Sequence, residues 1–365
     1  NKLWLLWAAQ NNVVGSIEVN DVSSDQLARA VSEFRQEIGR GSYSYGDRAS
    51  LELIQSKSQK LYDWLIRPLE AELTQNQIKH LIFAHDRYTR YIPMAALHDG
   101  EQYLIEKYAV SSILAATETD LDQPPTVIEA SVLGLGLSDP APPFLALENV
   151  PIELDNIVKE TSSDRNGFYG GKVFLNQAFD RNLMRSEVYQ HQILHIATHG
   201  KFEPGSPDQS FILLGNGEPL PIPEIDTLLQ ADLENVHLVV LSACETAYGE
   251  EGSDGREIAG ISSYFLKGNR AQAVMASLWA VNDQSTSLLM QRFYEFLASG
   301  ELTKAEALQQ AQLSLLYSQD VETRLALRSD NSFDASWRGD SASATNSSIA
   351  HPYHWAPFIL IGNAL

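Results

Sequence analysis

The chain has 365 residues, 44% of them hydrophobic and 20% charged, a single cysteine and a formal net charge of −21. That length accommodates about two domains of ~150 residues, the composition is that of a globular protein with a real core, and the apolar runs fall short of the ~18 residues that span a membrane. The acidic balance repels a phosphate backbone and attracts a basic peptide, while one cysteine leaves neither a disulfide framework nor a cysteine-rich zinc site and fits a reducing, cytoplasmic compartment.

The opening Leu3–Ala9 is apolar but short, and Gln10-Asn11-Asn12 breaks it without a small-residue cleavage site, so it reads as a strand rather than a signal peptide. The first residue is Asn1, which fits a piece of a longer protein. Val13–Val19 gives the second strand of a hairpin. Leu27, Ala30, Val31, Phe34 and Ile38 recur at a helical period, and residues 50–73 repeat that pattern with Pro68 as a kink or divide. His80–His85 and Tyr108–Leu114 are strands, with the Pro93–Leu97 segment between them. The polar stretch at Ala116–Thr126, with Pro124-Pro125, places a domain boundary at 123/124.

Beyond it, short apolar runs alternate with helical patterns. Strands are predicted at Val132–Leu137, Lys172–Leu175, Gln192–Thr198, His237–Ser242 and Ala273–Leu278. Helices are predicted at Val150–Glu160, Phe179–Val188, Ile258–Lys267, Ser285–Leu297 and Thr303–Tyr317, with a last strand or packed tail at His354–Ile361. Strands rich in Val, Ile and Leu separated by helices predict an α/β fold with a mostly parallel sheet covered on both faces. Ser318–Ile349 is polar and unpatterned and reads as a mobile insertion.

Two of these strands run into chemistry. Gln192–Thr198 leads to His199-Gly200, and His237–Ser242 leads to Cys244, 45 residues later. In an open parallel sheet the carboxyl ends of the strands border the ligand crevice, and neighbouring strands bring the two residues within reach of each other. A thiol needs a nearby base to be nucleophilic at neutral pH; His199 is a base able to take its proton and return one to a leaving amine. The backbone N–H groups of Gly200 and Cys244 are the expected oxyanion donors. On residue chemistry alone, Cys244 is either this nucleophile or a small buried hydrophobe.

The words His195-Ile196-Ala197-Thr198-His199-Gly200 and Leu241-Ser242-Ala243-Cys244-Glu245-Thr246-Ala247 resemble the CHAT-domain family of caspase-like peptidases, often found beside TPR repeats. Arg90–Gly100, Ala276-Ser277-Leu278-Trp279 and His351–Phe358 match further, in the family's order, from about Leu81 to the carboxyl end. The resemblance implies the caspase–separase fold, with a Cys244–His199 dyad and residues 1–123 as a half-degenerate companion subdomain with its own sheet. It also implies a cysteine endopeptidase that cuts a specific protein, without cofactor or metal, under a TPR-containing or other regulatory partner. By the same resemblance Asp139 meets a basic side chain before the scissile bond, and Trp279 walls the pocket. Asp283 is the weaker third candidate, since it reads equally as a cap for the following helix. Asp139 reads equally as a turn residue before Pro140. The alternatives are a catalytically silent module of the same fold that binds protein partners, and an acyl-transfer enzyme using the same dyad.

Other signals point elsewhere. His195 and His199 are four apart, but on a strand rather than a helix and without a third ligand, so His195 is expected to pack within the sheet. Gly134-Leu135-Gly136 lacks the third glycine of a dinucleotide fingerprint and reads as a strand close to a neighbouring backbone. Gly252–Gly255 is too short for a calcium loop and reads as a border of the cleft, with Glu250, Glu251, Asp254 and Glu257 as a solvated acidic face.

Overall fold

The computed structural model describes residues 2–9, 13–40, 48–115, 119, 130–161, 163–202, 209–228, 233, 235–242, 244–246, 263–266, 271–317 and 349–365. The strands are β1 (Leu3–Ala9), β2 (Val13–Val19), β3 (His80–Ala84), β4 (Ala109–Ile113), β5 (Val132–Gly136), β6 (Val158–Lys159), β7 (Tyr169–Leu175) and β8 (Ile193–Ala197). They continue as β9 (Gly200–Phe202), β10 (Phe211–Leu213), β11 (Pro219–Pro221), β12 (Leu238–Leu241), β13 (Cys244–Thr246), β14 (Ala273–Ser277) and β15 (Phe358–Gly362). The helices used below are α1 (Ser24–Arg40), α2 (Arg48–Leu65), α3 (Glu70–Gln75), α4 (Leu104–Lys107), α5 (Val150–Ile157), α6 (Arg181–Glu187) and α7 (Ile222–Leu228). Two long ones follow at Asp283–Ala298 and Lys304–Leu316, and a short one at Pro352–Trp355.

The centre is a nine-stranded sheet in the order β3-β4-β15-β14-β12-β8-β5-β7-β6. The six strands from β14 to β6 are parallel, and β15 turns antiparallel to β14 and carries β4 and β3 with it. This is the mostly parallel α/β arrangement expected. Both faces of the middle strands are buried, so alternate residues feed two cores. Ile193, Leu238, Val240, Ala273 and Met275 face one side with Phe34, Phe293, Leu308 and Trp355. Leu194, Ile196, Val239, Leu241 and Val274 face the other with Phe179, Met184 and Ile225.

Two local expectations change. β3 and β4 extend the central sheet rather than building a sheet of their own, because Ser112 pairs with Ile361 of β15; the expected boundary at 123/124 lies outside the described residues. The helix from Val150 stops at Ile157, and Val158–Lys159 pairs with β7 instead. Pro68 divides the second helical pattern as anticipated, seating a short 3₁₀ turn at Arg67–Leu69 between α2 and α3. A second, four-stranded sheet in the order β11-β10-β9-β13 follows the ends of β8 and β12. The insertion over 318–348 and the Gly252–Gly255 loop also lie outside the described residues.

α5 lies close on β5 because that strand is glycine-rich. A Cβ on Gly136 would sit 2.7 Å from the side chains of Val150 and Leu175, and one on Gly134 would sit 3.1 Å from Leu154. The Gly134-Leu135-Gly136 segment is therefore closest to side chains of a helix and a neighbouring strand rather than to the neighbouring backbone expected. Among the described residues no helix is long and apolar enough to cross a membrane.

Candidate active site

β8 and β12 are immediate neighbours, parallel, with Leu241 opposite Ile196. Their chains then leave the central sheet together and pair again in the second one. There β13 runs parallel to β9 with Cys244 opposite Gly200. Neighbouring strands lie about 4.8 Å apart, so the backbone of Cys244 stands beside the residue that follows His199. Two strand ends separated widely in sequence are thereby joined at one spot on the sheet's carboxyl edge.

His199 is 8% exposed. Its Nε2 is 2.7 Å from the carbonyl oxygen of Leu145, and its ring lies 4.9 Å from that of Phe144. A carbonyl only accepts, so Nε2 carries a proton and, in the neutral ring, Nδ1 has the lone pair. The His199 carbonyl in turn accepts the N–H of Leu213, fixing the backbone to β10.

The loop from Leu137 to Asn149 frames this residue. Leu137 donates its N–H to the Ala197 carbonyl, and the N–H groups of Ser138 and Asp139 converge on Oδ1 of Asn176. Asp139 is exposed on that rim. Beyond it, Pro142, Phe144, Phe211, Leu213, Pro219 and Pro221 line a cleft of about 400 Å³. Phe144 is shared between the cleft and the face of the His199 ring.

The other two expected pocket residues are engaged differently. Trp279 is 3% exposed and donates its indole N–H to the Tyr353 carbonyl, so it packs in the core, whereas an apolar wall of the pocket was expected. Asp283 opens the helix Asp283–Ala298, but the cap is Asn282, whose side chain accepts from Ser285. The Asp283 carboxylate accepts the backbone N–H and the side-chain amide of Asn149, both at 2.8 Å. Burial raises its pKa, against those two hydrogen bonds and with the help of Glu153 and Glu148.

His195 packs within the sheet, as expected, with a partner that its sequence neighbours do not reveal. Its Nε2 is 2.8 Å from Oε1 of Glu153 and its Nδ1 is 3.0 Å from the Tyr294 hydroxyl. His195 and His199 therefore turn to different partners.

The family follows from this chain's own length of match. Residues 55–363 fit the CHAT domain. The chain belongs to the CHAT-domain family. No curated protein sequence matches it. Among solved structures, the Arg-specific cysteine proteinase gingipain R aligns at 7% identity and a TM-score of 0.43, over 93% of this CHAT chain and 74% of that one. The Porphyromonas gingivalis RgpB pro- and mature-domain complex aligns at 7% identity and 0.41, over 93% and 76%. The Saccharomyces cerevisiae separase–securin complex aligns at 11% identity and 0.45, over 93% of this chain but only 22% of that one.

Proposed function

We propose that this CHAT-family chain is a cysteine endopeptidase using Cys244 and His199. The observation that carries the reading is the pairing of Cys244 with Gly200, next to a histidine whose Nε2–H is already committed to the Leu145 carbonyl. Nδ1 of His199 then takes the thiol proton. The thiolate attacks the scissile carbonyl, and the oxyanion is met by the backbone N–H groups of Cys244 and Gly200. Collapse breaks the C–N bond, with the proton on Nδ1 passing to the leaving amine. Water, deprotonated by the same nitrogen, releases the acid from the thioester and returns the thiol.

The surroundings support a peptide as substrate. Asp139 is the exposed carboxylate on the rim and is the group proposed to meet a basic side chain. The cleft of Phe144, Phe211 and the three prolines is proposed to take an apolar side chain of the same substrate. A protein partner that presents or gates the substrate belongs to the same reading.

The test is covalent labelling by a peptide chloromethyl ketone ending in Arg, read by intact mass. One adduct, lost in Cys244→Ala and strongly slowed in His199→Ala, is expected. An adduct that survives Cys244→Ala sinks the assignment, and a folded protein inert to every such ketone points to a binding module instead.

A further inference from the structure

His195 occupies a position where the fold calls for an apolar side chain. It lies on the face of β8 that also carries Ile193 and Ala197, between Gly134 of β5 and Val240 of β12. It is 0% exposed and its partner Glu153 is 1% exposed. A buried polar pair of this kind is commonly no more stable than apolar residues of the same volume, so packing alone does not call for it.

What the pair connects is more informative. Glu153 lies in α5, and the loop just before α5 delivers the Leu145 carbonyl to His199. Asn149, at the start of that helix, is gripped by Asp283. Asp283 opens the same helix that carries Tyr294, and the Tyr294 hydroxyl reaches the second nitrogen of His195. The contacts close into a circuit: His195 to Glu153, along α5 to Asn149, across to Asp283, along the long helix to Tyr294, and back to His195. The titratable groups facing the imidazole are Glu153 from α5 and Tyr294 from the long helix, with Tyr169 of β7 edge-on to Tyr294. Burial keeps the Tyr294 hydroxyl protonated. It therefore has a proton to donate to Nδ1 while Nε2–H donates to the Glu153 carboxylate.

We propose that Glu153 and His195 are positioning residues for the dyad, whose buried hydrogen bond locks α5 onto β8 and so holds the Leu145 carbonyl in register with His199 Nε2. Neither touches the reacting atoms. The inference rests on the dyad proposed above and assigns the residues that keep its base aligned. Without the bond, α5 and its loop are free to slide along the strand, the carbonyl drifts from Nε2, and Nδ1 loses its aim at the thiol.

The experiment is the pH dependence of Cys244 alkylation by iodoacetamide in the full chain, with a thermal transition on each variant to report folding. In the unsubstituted protein the midpoint is expected below the ordinary thiol value of about 8.5 and to return to it in His199→Ala. Glu153→Leu, similar in volume but without the acceptor, is expected to raise the midpoint by about one unit and slow alkylation at pH 7 about tenfold. Glu153→Gln keeps an acceptor and is expected to restore the profile. The double variant Glu153→Leu/His195→Phe removes both members of the pair, so that the Nε2–H of His195 is not left stranded and only the Tyr294 hydroxyl loses its partner, and is expected to shift the midpoint like the single one. A folded Glu153→Leu or double variant with the original midpoint overturns the inference. So does failure of both to fold, which makes the pair a stability element. If the unsubstituted protein already titrates like a free thiol and ignores His199→Ala, the dyad itself falls and the positioning role with it.

Discussion

Nε2 of His199 lies 2.7 Å from the carbonyl oxygen of Leu145, a residue 54 positions earlier in the chain. For the proposed base the contact leaves Nδ1 as the acceptor, because a carbonyl accepts only from Nε2–H. Nitrogen-15 NMR should find the neutral His199 ring as the Nε2–H tautomer, with that proton slow to exchange under its 8% exposure. A predominant Nδ1–H form would remove Nδ1 as the acceptor of the thiol proton and with it the mechanism drawn here.

The apolar cleft gives a prediction on selectivity. Phe211 lines it and stands edge-on to Phe144, with ring centroids 6.3 Å apart. Phe211→Ala enlarges the cleft while leaving Phe144 against His199. One methylene in a hydrophobic pocket discriminates by roughly 10–200-fold, so a peptide series varied at one apolar position should shift about tenfold towards larger side chains in this variant. Equal preference before and after would place the substrate elsewhere.

Much of this was legible in the sequence, and the reason is periodicity. β8 and β12 are buried on both faces, so they read as unbroken apolar runs, and their adjacency followed from parallel pairing across a crossover. The second sheet was not legible. Its strands are three residues long, and β11 is Pro-Leu-Pro at an edge, where proline is tolerated but gives no strand signal. That sheet is what sets Cys244 opposite Gly200. The Glu153–His195 pair was hidden for another reason: 42 residues separate its members, and a lone carboxylate on a short helix looks like any solvent-facing one. Trp279 misled in the opposite direction, since an aromatic after a strand end fits a pocket wall and a core equally well.

Acid should weaken the carboxyl-terminal packing through histidine. His351 is 1% exposed, caps the helix Pro352–Trp355 by accepting from the Tyr353 N–H, and burial lowers its pKa to about 4. Its folded pKa lies below the unfolded value of about 6.5, so the unfolded chain binds the proton first. The stabilisation is complete above pH ~6.5 and is lost as pH falls towards ~4, about 3 kcal/mol at most for this residue. His351→Asn keeps a capping acceptor without the titration, and denaturant melts from pH 7 to 4 should show a flatter loss of stability. An unchanged slope would assign the acid response to other groups.

Asp99 sits at the end of the Arg90–Gly100 segment and acts there through structure. One carboxylate oxygen accepts the N–H groups of Glu101 and Gln102, and the other meets Lys107 at the end of α4. Burial works to raise its pKa, but the Lys107 bond and the two backbone donors prevail and bring it down to about 2. A carboxyl lower in the folded state than in the unfolded one stabilises above pH ~4, and that stabilisation disappears as pH falls from ~4 to ~2. The difference corresponds to about 2 kcal/mol. Lys107→Met removes the ammonium and should carry the Asp99 carboxyl, followed by carbon-13 NMR, upward by about one unit while thiol alkylation at pH 7 stays the same. A carboxyl that stays near 2 without Lys107 would mean that the backbone donors alone hold the turn. A change in alkylation would mean that this corner of the fold reaches the strand ends across the sheet.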